Sequence, residues 1–369
     1  MKILSVGYAL EKASGVTTFV EETAAGLRAL GHEVEVVDIL KGADRTGDVG
    51  KYDVVHLHCL WQLHKYAVAA RNAKVPIVWS THGMTAPWAM KHKWWKKKLA
   101  WLLYQKRDLM GAVAIHCTTE QEVEWNKALG FNNCFIAPLG THLPKKDQCH
   151  SPTPTHNSNY TLLFVGRIYP VKGLVNLIKA WGIVMKQSSV PTPLATACAA
   201  RFARGIRSPF PVPLSNWKLR IVGPDEAGHQ FELESLVREL RLSGGVEFAG
   251  PKFGEELSRE YENCNCLVLP SFTENFGATV VDAMAHGKPV ITSTFTPWQE
   301  VRERGCGWWV SNEPESLARA IGEMIGLGDE ERSAMGAKGR GLVAEKYSWP
   351  AVAETVLNAY RSILKGKES

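Results

Sequence analysis

Residues Pro270–Ser293 read PSFTENFGATVVDAMAHGKPVITS, and this stretch decides the fold class. The apolar run Leu267–Leu269 ends in Pro270 and Ser271, and a polar loop follows with Glu274, Asn275, Phe276 and Gly277. A helical pattern opens near Ala278, and HGKPVI then leads into a second β-branched run at Val290–Thr292. Strand, loop, helix and strand in so short a space is the unit of a parallel sheet, because parallel neighbours need a crossover and a helix supplies it. Glu274 lies before the helix and Asp282 a little over one turn inside it. The two carboxylates could meet one ligand from different heights. Equally, Glu274 could be a helix-start charge and Asp282 a solvated side chain.

Outward from this unit the same alternation runs through the chain. Candidate strands are Ile3–Val6, Val34–Asp38, Val54–His58, Ile77–Ser80, Val113–Cys117 and Phe135–Ala137 in the first half. In the second they are Leu162–Val165, Leu219–Val222, Val246–Phe248, Leu267–Leu269, Val290–Thr292 and Trp308–Val310. The helix Val16–Leu30 has the clearest period, with Val16, Phe19, Val20, Ala24, Leu27 and Leu30 on one stripe and Gly31 as its stop. Pro144–Asn159 (PKKDQCHSPTPTHNSN) has no apolar period and reads as a linker. The expectation is therefore two α/β domains, 1–150 and 160–349, with an amphipathic terminal helix at 350–366. Gln187–Asn216, with five prolines, matches neither period and reads as a surface insertion.

A chain of 369 residues suits two domains, and 45% hydrophobic with 22% charged residues describes an ordinary globular protein. No apolar stretch is long enough to span a bilayer, and Glu11 and Lys12 interrupt the apolar start too soon for a secretory signal, so the expected address is cytoplasmic. Eight scattered cysteines without a CxxC pair read as reduced thiols. The formal charge of +6 is uneven: residues 1–150 carry 19 Lys and Arg against 14 Asp and Glu, and the remainder 24 against 23. Lys91–Arg107 alone holds seven basic residues and no acid.

A dehydrogenase would need glycines at a strand-to-helix turn, but the nearest match, Gly339, Gly341 and Ala344, falls inside a late charged helix. A Walker A loop is also absent. Four features point instead to an anion. Ser14, Gly15 and Val16 stand at a helix start, where free N–H groups favour a phosphate. Arg167 and Lys172 in FVGRIYPVKG follow the first strand of the second half and could neutralise a diphosphate. The loop and helix start from Glu274 to Ala278 form the third, and His82, at the carboxyl end of a strand in STHG, the fourth. His56 and His58 share one strand face, half of a conceivable metal site, but no third ligand is near in sequence and none is expected.

Taken in order, SGV with GHEVEVV, DVVHLH, THG, FVGRIYPVKG, LRIVGP, VEFAGP, LVLPSFTENFGATVVDAMAHGKPVI and GCGWWV resemble a family 4 retaining glycosyltransferase of the GT-B fold. THGMTAPWAMKHKWWKKKLAW and TPWQEVRERGCGWWV resemble bacterial members that build cell-surface polysaccharides and O-antigens. The resemblance implies two facing Rossmann-like domains with parallel sheets and a C-terminal crossover helix, the acceptor on the first and the nucleotide sugar on the second. Arg167 and Lys172 would bind the donor diphosphate, and Gly15 would let its loop approach it. His82 would bond the donor sugar near the reacting carbon. Glu274, with Asn275, Phe276, Gly277, Ala278 and Thr279, would hold sugar hydroxyls and phosphate, and Asp282 the ribose. The family has Glu where this chain has the shorter Asp282. Neither cofactor nor metal is implied, because cations and a helix start can stabilise a departing diphosphate.

Trp94, Trp95 and Trp101 are interleaved with Lys96, Lys97 and Lys98, a composition suited to an anionic membrane surface. No nucleic-acid module accompanies it. The alternative is a solvated helix over buried tryptophans. The expected activity is hexose transfer, with retained configuration, from a nucleoside diphosphate sugar to a saccharide acceptor on a lipid carrier, at the inner face of the plasma membrane. An epimerase or phosphorylase on the same fold, or a catalytically silent sugar-nucleotide binder, stays open.

Overall fold

The computed structural model describes residues 1–8, 15–42, 44–91, 94–144, 160–186 and 212–368. The chain divides into two compact units, Met1–Gly140 with Lys346–Ser369, and Thr141–Glu345. The division falls at Gly140 and Glu345, where the sequence pattern had set 150, 160 and 349. Most of the expected linker, and 187–211 of the expected insertion, lie outside the described residues.

The first unit holds β1 (Lys2–Gly7), β2 (Glu33–Asp38), β3 (Val54–His58), β4 (Ile77–Ser80), β5 (Ala114–Cys117) and β6 (Cys134–Ile136) in one sheet, ordered β2-β1-β3-β4-β5-β6. All its neighbours pair in parallel. Both faces are covered, which is why the strands read as near-continuous apolar runs. Leu4, Val6, Val55, Leu57, Ile77 and Trp79 fill one face. On the other, Ile3, Val54 and Val78 meet Phe19 and Leu27 of the helix Gly15–Ala29 and Val352, Val356 and Tyr360 of the terminal helix Trp349–Glu368. The two helices approach closely because Gly26 has no Cβ: one built there would lie 2.5 Å from the Ala353 Cβ.

The second unit holds β7 (Tyr160–Val165), β8 (Trp217–Val222), β9 (Val246–Phe248), β10 (Cys266–Leu269), β11 (Val290–Ser293) and β12 (Gly307–Val310), ordered β12-β11-β10-β7-β8-β9 and again all parallel. The chain runs outward from β7 to β9, then returns to β10 on the other side of β7. Strand direction of travel reverses there, and such a switch point opens a crevice beyond the carboxyl ends of the two strands. The glycines at 339 and 341 lie inside the helix Asp329–Leu342, where Gly339 packs on Met284 and Cys306 and not at any turn.

Candidate functional site

In the second unit the loops after β7 and β10 meet at the switch point. Gly173 makes this possible: at φ +72°, a Cβ would lie 2.1 Å from the Pro270 carbonyl oxygen. The Phe272 N–H donates to the Val171 carbonyl at 2.8 Å, so the loops are joined through backbone as well. This contact brings together two residues 102 apart in sequence: Lys172 Nζ donates to Glu274 Oε1 at 2.5 Å, and the Ser271 hydroxyl donates to the same oxygen at 2.7 Å. Lys172 and Glu274 are only 15% and 12% exposed, so their attraction is little screened by water. Glu274 is therefore a paired group, not a helix-start charge.

Beside the pair, the helix Ala278–Ala285 starts from Gly277 at φ +81° with no side chain capping it. Its first N–H groups and dipole favour an anion. Phe276 is buried against Trp298, whose Nε1 donates to the Phe276 carbonyl at 2.5 Å and fixes the loop. Asn275 is half-buried on the same loop. Among the described residues the Thr279 hydroxyl is buried and has no partner, so it is available to a ligand. Asp282 is not a solvated side chain. It is half-buried, accepts a hydrogen bond from the Thr141 hydroxyl at 2.6 Å, and burial pushes its carboxyl up to about 6. Arg167 does not join Lys172: it is exposed, and its Nη1 lies 2.9 and 3.1 Å from the two carboxylate oxygens of Glu226.

The first unit has a different centre, built of neutral groups. His56 and His58 (β3), Ser5 (β1), Ser80 (β4) and His116 (β5) project from one sheet face beneath Phe19. His116 Nε2 lies 2.7 Å from the Ala137 carbonyl, which can only accept, so Nε2 carries the proton. Burial drives the His116 and His56 imidazoles down and keeps them neutral. His116 Nδ1 then accepts from the Ser80 hydroxyl at 2.6 Å, Ser80 accepts from His56 Nε2 at 2.6 Å, and His56 Nδ1 accepts from the Tyr360 hydroxyl at 2.6 Å. One carbonyl thus sets the proton order of a chain that ends on the terminal helix. A second branch runs from Ser5 through His58 to His82, with Ser5 Oγ 3.0 Å from His58 Nε2 and His58 Nδ1 3.2 Å from His82 Nε2. Burial lowers His82 to about 3. Among the described residues no group of three or more His, Cys, Asp or Glu is placed to hold a metal ion. Gly15 opens its helix in open packing, with a Cβ position 3.9 Å from Leu139, and Ser14 lies outside the described residues.

The basic segment is helical on both sides of residues 92–93, which lie outside the described residues, and it is continuous from Trp94 to Met110. It runs as Pro87–Lys91, Trp94–Ala100, a wide turn at Trp101–Gln105 in which the Lys106 N–H bonds the Trp101 carbonyl, and Lys106–Met110. Trp94 and Trp95 are 62% and 59% exposed, and Trp88, Leu99, Leu102, Leu103 and Met110 share that exposure, whereas Trp101 packs inward on Trp61 and Phe131. Lys96 and Lys98 are exposed and lie over the Trp95 and Trp94 rings at 5.2 and 5.8 Å. Lys97 departs from its neighbours: it is half-buried and donates to the Ala89 carbonyl at 2.6 Å. The inner side is pinned by Gln105 Oε1, which accepts from the Trp61 N–H, and by buried Asp108 between His64 and Arg71.

The sequence pattern did not single out His116, Ser80, Ser5, Tyr360, Ser271 or Glu122. A usable signal was a polar residue inside an otherwise apolar strand, as in ILSV, IVWS and AIHC.

Two six-stranded parallel sheets flanked by helices, one unit with its switch point at β7 and β10, define the GT-B class of fold. Anabaena HepE, solved with UDP, superposes at a TM-score of 0.71 with 16% identity, covering 98% of this chain and 100% of that one. The lipopolysaccharide outer core galactosyltransferase WaaB gives 0.66 with 15% identity, covering 98% and 99%. The chain belongs to the glycosyl transferases group 1 family, whose pattern matches residues 146–342, more than half of its length. Residues 40–139 match the glycosyl transferase 4-like domain. A D-inositol 3-phosphate glycosyltransferase of Nocardioides sp. is 27% identical over 341 residues, 86% of this chain and 69% of that protein. In other curated relatives the chain spans less than half of their length.

Proposed function

We propose that this protein transfers a hexose, with retained configuration, from a nucleoside diphosphate sugar to a saccharide acceptor on a lipid carrier, in the assembly of a cell-surface polysaccharide such as an O-antigen. The observation that carries the reading is the Lys172–Glu274 pair at the switch point, next to the uncapped start of the Ala278 helix. A glycosyl diphosphate already has a good leaving group, so the protein must stabilise charge on the departing phosphate and place the acceptor hydroxyl. Lys172 and the first N–H groups of the helix would take the diphosphate, Glu274 the sugar hydroxyls, the Thr279 hydroxyl a further polar contact, and His82 the sugar near the reacting carbon. Arg167 would reach the diphosphate by leaving Glu226, an exposed pair whose loss costs little. Same-face attack, assisted by the leaving phosphate, would retain configuration.

The exposed tryptophans and Lys96 and Lys98 support an anionic bilayer as the surface on which the acceptor is met. No helix among the described residues is long and apolar enough to cross a membrane, so contact would be peripheral, at the inner face of the plasma membrane. We propose no metal or other cofactor, the cation and helix start serving that role.

Thermal-shift screening against UDP-, GDP- and ADP-sugars identifies the donor, since a ligand at a hundred times its dissociation constant adds about 2.7 kcal/mol of stability. Transfer with that donor, persisting in excess EDTA and giving a retained anomeric centre by NMR, is the expected result. An inverted product, or activity abolished by EDTA and restored by magnesium, overturns the corresponding part. Preference for a soluble inositol phosphate over a lipid-linked saccharide would replace the proposed acceptor with that of the named relatives.

A further inference from the structure

The turn after β4 has an unusual backbone. His82 sits at φ +48° and Gly83 at φ +74°, two left-handed residues in succession. Glycine adopts this freely, but for histidine it is unfavourable by the order of 1 kcal/mol and persists only where surroundings enforce it. The enforcing group is Glu122, wholly buried in the first turn of the helix Glu120–Ala128. Its Oε1 accepts from the Thr81 hydroxyl at 2.7 Å and from the Gly83 N–H at 2.5 Å, so one oxygen grips both neighbours of His82. Its Oε2 accepts from the Thr118 N–H at 2.7 Å and the Thr118 hydroxyl at 2.9 Å, tying the turn to the loop after β5. Asn126 stands behind, with Nδ2 3.3 Å from the Thr81 hydroxyl and 2.9 Å from the Glu122 carbonyl. The Thr119 hydroxyl accepts from the Glu122 N–H at 3.2 Å, which fixes where the carboxylate starts.

A helix start gains from an acidic residue wherever it points, and a solvated one would serve. Burying a carboxylate is costly unless every lone pair finds a donor. Here the four donors come from the two residues that flank His82 and from one adjoining loop, an arrangement that fixes a backbone and not merely a helix end. His58 supplies the other hold, on the His82 ring itself.

We infer that Glu122 is a positioning residue for His82: it locks the left-handed turn that presents the imidazole to the donor sugar. The inference rests on the reading of His82 given above. Glu122→Gln keeps the shape of the side chain but sets an amide NH2 against groups that donate. It should lower kcat by about tenfold or more while leaving the KM for the donor within about threefold, because an interaction made in the transition state is weakened. Combined with His82→Ala, it should change kcat by less than about twofold further, since the group it positions is gone. In long-range 1H–15N spectra of the ligand-free protein, the His82 ring nitrogens should move in Glu122→Gln. Thr81→Val should act in the same direction and Thr81→Ser restore the parental kcat, which keeps the test open if Glu122→Gln does not fold. A full loss that persists on the His82→Ala background, or His82 signals unmoved in Glu122→Gln, overturns the inference. Parental transfer by His82→Ala alone would instead remove His82 from the proposed mechanism, and the ring-nitrogen shifts would still decide whether Glu122 sets its orientation.

Discussion

The two units solve the burial of polar groups at a sheet's carboxyl edge in opposite ways. Beneath Phe19 the first unit uses neutral groups: four imidazoles, two serines and a tyrosine, with a single accepting carbonyl ordering the run His116–Ser80–His56–Tyr360. The second uses opposite charges, with Lys172 and Glu274 almost out of water. Neutral networks hold a shape, because each proton has one place to go, whereas a charged pair keeps a cation and an anion ready for a ligand of either sign. Under the proposed function the second unit would meet the diphosphate and the first would present His82.

The largest effect expected from breaking this contrast is on the charged side. Lys172→Ala and Glu274→Ala should each reduce transfer by about 100- to 1000-fold, as loss of a charge-stabilising contact does, with the circular dichroism spectrum unchanged. Near-parental turnover in either variant would remove the pair from the mechanism.

The surface of the first unit should respond to charge even though its centre is neutral. Lys96→Gln with Lys98→Gln should weaken sedimentation with phosphatidylserine vesicles at low salt by roughly thirtyfold, at about 1 kcal/mol for each lysine. Lys97→Gln should do less, because its ammonium is committed to the Ala89 carbonyl. Equal effects at all three positions would mean that this bond gives way at the membrane.

A smaller change is expected at the head of the neutral chain. Tyr360→Phe leaves His56 Nδ1 buried without its donor, and urea unfolding should show a loss of about 1–3 kcal/mol. No loss would show that the order of protons contributes nothing to stability.

The two units should also differ in the sign of their response to pH, read by hydrogen exchange in peptides from each. The buried imidazoles are held below their ordinary value of 6.5, so the folded state resists a proton that the unfolded chain accepts. Their contribution is present above 6.5 and is lost as pH falls below it, so protection in the first unit, taken relative to the intrinsic exchange rate at each pH, should fall on acidification. Asp282 is raised from 3.8 to about 6, so its contribution is present below 3.8 and lost as pH rises through about 6. Asp282→Asn should slow exchange in the Ala278 helix at pH 7 and leave it unchanged at pH 3.5. An unaltered ratio between the two pH values would refute the burial of that carboxyl.

All twelve strands among the described residues were legible as short β-branched runs, because strands buried on both faces leave no room for polar residues except where these pair. The site was legible in part. Glu274, Lys172 and His82 could be placed at loops by their strand ends, but their partners could not. The Lys172–Glu274 contact spans 102 residues, and His56 and Tyr360 are 304 apart. The two sides of the basic segment were equally hidden, since its composition does not reveal that Trp101 turns inward while Trp94 and Trp95 stay out.

Sequence by itself therefore determined the α/β alternation, the parallel sheets and the positions of the candidate residues along the chain, since each depends on periodicity and turn chemistry within a few neighbouring residues. Tertiary structure decided the rest: which strand lies beside β7, that Arg167 turns to Glu226 while Lys172 turns to Glu274, that Lys97 is withdrawn from its neighbours, and that Glu122 grips the His82 turn. The reason is physical. A buried polar atom must find its partner, and packing brings that partner from a distant strand or helix, so no local pattern records the pairing.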